Sequence, residues 1–194
     1  GLQFLVGAAL LGGAAVTRAA LVSLYQARLL SLQQLKTVND GYALSVVEVA
    51  HKVRDGNMSA ASGLTALEAA RPGMERSWRA FIAADHDVAD KAQLAALAEA
   101  KTHADEAMEQ LTQILRNGGE RDSLDFFVTG SLYSFIDPLF VSIADYSDHQ
   151  LRAARVEIVT AADQLKLLLA LSALFAAAGI ASAVFGVGIM TQTV

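Results

Sequence analysis

From Leu167 to Met190 the chain carries no charged residue, and no other feature limits its fold as tightly. That run exceeds the roughly 20 residues needed to cross a bilayer core of about 30 Å, so it reads as a membrane-spanning helix. Lys166 stands at its start, where the amine can snorkel to the interface. Small residues recur inside the run at Ala176, Ala177, Ala178, Gly179, Ala181, Ser182, Gly186 and Gly188. Such residues let helix backbones approach closely in lipid. The pattern predicts a spanning helix over 165–191 and the start of a cytoplasmic part at 192–194.

The other end repeats the theme. Leu2 to Val16 is uncharged, and Thr17 and Arg18 follow. The helical pattern runs on past Arg18 without a break, which favours an anchor over a cleaved signal peptide. Because Gly1 is not an initiator Met, residues 1–24 are read as a first spanning helix trimmed at its start. Overall the chain is 54% hydrophobic and only 18% charged, against about 25% charged in soluble domains. The apolar excess sits at the two ends, and the stretch from Gln26 to Lys166 reads as an ordinary soluble sequence. Arg18, Arg28, Arg152, Arg155 and Lys166 lie on the central side, so the distribution of basic residues does not by itself orient the chain. A net charge of −5 gives no basic face for nucleic acid. The absence of cysteine excludes disulfides, thiolate metal sites and a Cys nucleophile.

The middle reads as four helices. Asp55-Gly56-Asn57, Asp85-His86-Asp87 and Asn117-Gly118-Gly119 interrupt the pattern with residues suited to turns. Ser59 or Asn57 is placed to cap the second helix. Asp90, with Gln93 three residues on, is placed to cap the third as a capping box. Apolar residues recur every three or four positions. The seams are Leu32, Leu35, Asn39, Tyr42, Val46, Val49, Val53; then Leu64, Leu67, Arg71, Met74, Trp78, Phe81; then Leu94, Leu97, Lys101, Ala104, Met108, Leu111, Leu115; then Ile136, Phe140, Ile143, Ser147, Leu151, Ala154, Ile158. This spacing predicts an all-α fold: an antiparallel up-down-up-down four-helix bundle over 25–164 whose first and last helices continue into the membrane.

With its span–bundle–span order, the chain resembles the four-helix-bundle sensor domain of bacterial chemoreceptors, the methyl-accepting chemotaxis proteins. Three stretches carry the resemblance within the bundle: Trp78-Arg79-Ala80-Phe81, Leu132-Tyr133-Ser134-Phe135-Ile136-Asp137-Pro138, and Asp148-His149-Gln150-Leu151-Arg152-Ala153-Ala154. The resemblance implies a homodimer in the inner membrane, with a periplasmic bundle that binds a small molecule and signals across the membrane for chemotaxis. The same module occurs on histidine kinases and cyclic-di-GMP enzymes. The spaced arginines that hold ligand in aspartate-type receptors are missing, since Tyr42 to Arg54 offers only Lys52 and Arg54. Aspartate specificity therefore does not carry over.

Three seam positions break the apolar rule: Asn39, Arg71 and Lys101. Counting about 1.5 Å per residue from the turns places them, with Tyr42, Tyr146 and Ser147, in one polar layer at mid-height. Buried cations need a partner. An organic acid or amino acid would supply one, with Arg71 as bidentate clamp and Lys101 as a point charge. Pro72-Gly73 beside Arg71 would bend the helix there. The structural alternative has both side chains snorkel and pair with Glu68, Glu75 or Asp105, with Asn39 fixing register. A second candidate site lies at the distal end: Lys52, Arg54, Arg116, Arg121, Thr129, Ser131 and Tyr133, beside a long connection from Asn117 to Gly130. The scattered histidines make no Glu-x-x-His or His-Glu-x-x-His set, and neither phosphate loop nor nucleophile elbow appears. The sequence thus points to a sensor without cofactor or metal, and away from an enzyme. Its rival is a membrane stalk that oligomerises and binds nothing small.

Overall fold

A computed structural model describes residue 26 and residues 28–84, 86–87 and 90–191. The expected first span at 1–24 and the tail at 192–194 lie outside the described residues, as does Asp85. Contacts divide the chain into two units, Ala27–Gln150 and Gly1–Gln26 with Leu151–Val194.

Among the described residues every regular element is helical. Helix α1 covers 28–41 and passes through a π-helical stretch, Tyr42–Val47, into α2, Glu48–Arg54. Helices α3, Ala60–Ile82, and α4, Lys91–Arg116, follow. Helix α5, Arg121–Phe127, passes through a second π stretch, Val128–Leu132, into α6, Tyr133–Thr191.

The two π stretches solve a phase problem. The first rod buries Leu35, Val38, Tyr42, Val46, Val49 and Val53, with two steps of four residues in succession from Val38. In an α-helix each such step overshoots a full turn by roughly 40°. The wider i→i+5 turn absorbs the overshoot and keeps the stripe on one face. The same two steps of four, Val128–Leu132–Ile136, cross the second π stretch.

Several expectations need correction. The segment Asn117–Gly130 is not a long loop. Only Asn117–Glu120 connects, because Leu124, Phe127 and Val128 carry a helical apolar stripe that the core buries. In the first rod Val38, fully buried, takes the seam place assigned to Asn39, which is half-buried. In α6 the buried positions are Ile136, Leu139, Ile143, Tyr146 and Gln150; Ile136 and Ile143 are as expected, whereas Phe140, Ser147 and Leu151 are not buried. Ser59 caps α3 by accepting from the Ser62 N–H at 3.1 Å. Asp90 makes no such cap bond: its φ of −84° and ψ of −8° are already helical, whereas a cap side chain folds back from an extended backbone. Gln93 Oε1, the other half of the expected capping box, is buried with no hydrogen-bond partner. Pro72 lies within an unbroken α3, and a Cβ added at Gly73 would meet only open space.

In the second unit, Leu167 and Leu174 are 62% and 71% exposed, and Leu151, Val156, Ile158 and Val159 are exposed as well. Among the described residues one helical stretch, Arg121–Leu174, is long and apolar enough to cross a membrane by length and composition.

Gly119 closes the distal end. Its φ of +67° is left-handed, and a Cβ there would come within 2.8 Å of Ala60 Cβ. Gly119→Ala is therefore expected to destabilise the fold by about 2 kcal/mol. Gly73→Ala, in open space within a helix, should stabilise it by about 0.5–1 kcal/mol. Urea unfolding followed by circular dichroism in detergent checks both, and equal effects of the two would refute this account of the turn.

Candidate functional site

Lys101 occupies a seam position of α4, between Leu97 and Ala104, and is 4% exposed. An ammonium there needs anions close by. Asp105, one turn further on the same helix, accepts from Nζ through Oδ2 at 2.6 Å. Glu75 on α3 accepts through Oε1 at 3.0 Å. The Tyr42 hydroxyl donates to the other Asp105 oxygen. Nζ also lies 5.9 Å from the Tyr42 ring centroid and 5.7 Å from that of Trp78, within reach of their negative faces. Burial, followed by the hydrogen bond to Asp105, pushes the Tyr42 phenol far above its ordinary range. The cluster joins three helical segments through one cation, and the in-chain carboxylates supply the partners that a ligand would otherwise provide.

The other expected members of the layer lie elsewhere. Arg71 is exposed and donates to Glu109 Oε2 at 3.3 Å. The Ser147 hydroxyl donates back to the Ile143 carbonyl at 2.7 Å. Tyr146 belongs to a different cluster, packed edge-on against Phe81 with ring centroids 5.4 Å apart. There His86 lies with Nε2 2.7 Å from the Phe81 carbonyl and Nδ1 3.0 Å from the Tyr146 hydroxyl. The tautomer that serves both has Nε2–H donating and Nδ1 accepting. Burial, and then the charge of Asp90, pushes the Tyr146 phenol up to about 12. Asp90 is 4% exposed, accepts from Gln150 Nε2 at 2.7 Å, and lies 3.4 Å from His149 Nε2. Of the six candidates, the structure brings together Tyr42 and Lys101.

At the distal end Arg54 pairs with Asp55 at 2.9 Å and Asp125 at 3.7 Å. Lys52 pairs with Glu48. Thr129 donates to the Asp125 carbonyl and Ser131 to the Phe127 carbonyl, while the Tyr133 hydroxyl lies 2.8 Å from His51 Nε2. Arg116 reaches Glu68 at 3.4 Å and Arg121 lies 3.9 Å from Asp125. Ser131 also lines a groove of about 820 Å³ between α4 and α5. Its walls include Phe126, which lies in the connection the sequence reading set beside the distal site, and Glu106, Glu109 and Asp122, which it did not select because they sit on outward helix faces where periodicity reads only solvation. A hydrogen bond from Gln113, and then the charge of Arg71, hold the Glu109 carboxyl below its usual range.

The Lys101 cluster is asymmetric. The ammonium is buried, whereas the Glu75 and Asp105 side chains are 42% and 45% exposed. Asp105→Ala leaves the buried cation with Glu75 alone and the phenol hydroxyl without its acceptor, and is expected to cost about 2–3 kcal/mol. Lys101→Met leaves carboxylates that water can reach, and should cost only about 1 kcal/mol. Urea midpoints of the two variants check the order, and the reverse order would overturn this reading of the cluster.

No family model and no solved structure matches the chain. Over 148 residues, 75% of its length, the chain is 30% identical to the methyl-accepting chemotaxis protein NahY of Pseudomonas putida. It spans 27% of that protein's length. Three quarters of the chain is thus homologous to part of a methyl-accepting chemotaxis protein.

Proposed function

We propose that the chain is the sensor region of a transmembrane chemoreceptor. In this reading residues 25–164 form an antiparallel four-helix bundle in the periplasm. Segments 1–24 and 165–191 hold it in the inner membrane, two copies act together, and a small molecule bound outside the cytoplasm biases the signal for chemotaxis. The 148-residue similarity to a methyl-accepting chemotaxis protein carries the proposal. The exposed leucines from Leu167 to Leu174 support the lipid assignment, since apolar patches of that kind are costly in water. Leu30 and Leu44 on the first rod and Val141 on α6 are all exposed, which supports a face for a second copy.

For the ligand, the proposal keeps a small organic acid or amino acid at the mid-height layer, where it competes with Glu109 for Arg71 and with Glu75 and Asp105 for Lys101; the distal residues are the alternative site. The same module on a histidine kinase or cyclic-di-GMP enzyme would use the bundle in the same way. A second reading, a stalk that binds nothing small, draws support from the in-chain carboxylates around Lys101.

The chain is expected in the membrane fraction, resistant to carbonate and released by detergent. With no native cysteine, Leu44→Cys should give a disulfide-linked dimer on oxidation, and Arg76→Cys on exposed α3 should not. Recovery as a soluble monomer without detergent would remove the receptor reading.

A further inference from the structure

The groove between α4 and α5 has a chemical character of its own. Its α4 wall presents Glu106, Glu109 and Ile114, and its α5 wall presents Asp122, Phe126 and Phe127. With Gln110 and Gln113, these α4 residues lie three, four, seven and eight positions from Glu106, on one flank of that helix. Three carboxylates line the groove, and neither Lys nor Arg does. Phe127 is 2% exposed and forms apolar floor, whereas Phe126 stands 78% exposed. An aromatic ring left this open beside acidic walls offers both an apolar face and a negative quadrupole to a cation. The groove is open to solvent, and its volume is that of a site for a small organic molecule.

From this geometry we infer that the α4–α5 groove binds a small organic cation, an ammonium attached to an apolar body. The apolar body packs on Ile114, Phe126 and Phe127. The ammonium lies between Asp122 on one wall and Glu106 or Glu109 on the other. Glu109 is already shared with Arg71 at 3.3 Å, and Glu106 lies 3.6 Å from His103. Asp122 therefore makes the larger contribution to charge recognition. An organic anion of the same shape is excluded by the three carboxylates. The inference rests on the sensor reading and adds a second ligand class to it, at a place distinct from the Lys101 layer.

The test is calorimetry on the full chain in detergent, with phenethylammonium as probe and phenylacetate as its anionic counterpart. Phenethylammonium is expected to bind and phenylacetate not to. Phe126→Ala should weaken binding roughly ten-fold, and Asp122→Asn should weaken it several-fold, with a smaller dependence on salt than the unaltered chain shows. Both residues are solvent-exposed, so neither substitution removes core packing. Arg71→Ala, which releases Glu109, should leave binding intact or tighten it. Equal binding of phenylacetate, or phenethylammonium binding unchanged in both groove variants, overturns the inference. Binding of malate that is lost in Arg71→Ala and kept in Phe126→Ala, with no amine binding, overturns the groove alone and leaves the sensor reading standing. Failure of every organic solute to bind overturns both.

Discussion

A single ammonium that water barely reaches sets the terms for the Ala27–Gln150 unit. Lys101 is stable where it lies because Asp105 approaches from its own helix and Glu75 from α3. Tyr42 braces Asp105 from the first rod. An isolated charge in such a place costs several kcal/mol, so the three segments cannot slide past one another without exposing that cost. Leucine contacts tolerate small slips, because dispersion is non-directional. The ion cluster does not, and this gives it the register role that a polar residue in a seam commonly plays. Gly41 works in the same layer of contacts: a Cβ there would lie 2.3 Å from Met74 Cγ, so any side chain at that position would have to displace the Met74 side chain.

How much of this was legible in the sequence depends on the range of the interaction. Turn positions at Gly56 and Gly118-Gly119 were legible because positive φ is a local demand that few residues meet. Helix identity was legible from spacing. The burial of Lys101 followed from its seam position, and Asp105 was a visible partner at i+4. Glu75 was not distinguishable from Glu68, since which turn of α3 faces Lys101 depends on packing between helices. The π stretches escaped notice because spacing alone does not announce an i→i+5 turn. In the last helix Ile136 and Ile143 were placed correctly, but steps of four were taken first where the core takes steps of three, so Phe140 and Ser147 stood in for Leu139 and Tyr146. Asp90 was misassigned for a related reason: a capping residue and a buried acceptor for Gln150 look alike until the backbone conformation is known.

The polar layer illustrates the limit of counting heights. Equal distance from a turn places residues at one level only if they also point inward. Arg71 lies one turn from the seam-facing Met74 and Leu67, yet its side chain reaches Glu109 at the surface. Long cationic side chains leave a seam whenever a carboxylate waits outside it. Lys101 stays in because its carboxylates flank the seam itself and two aromatic rings line the remaining side.

For the proposed receptor, these differences in restraint decide where a ligand has leverage. A ligand shifts an equilibrium only by its difference in affinity between two arrangements. The Lys101 cluster opposes rearrangement, since any second arrangement must keep the ammonium paired. Helix α5 is restrained differently. It is seven residues long, bounded by the Asn117–Glu120 connection on one side and by the π stretch with Gly130 on the other. A π turn holds one residue more than an α turn, so moving that residue along the helix rotates one flank relative to the other at little cost in backbone hydrogen bonds. The open space around Gly130 raises no steric objection. A ligand held between α4 and α5 would therefore act on the segment that leads directly into α6, against the burial of Leu124 and Phe127 that holds α5 in place.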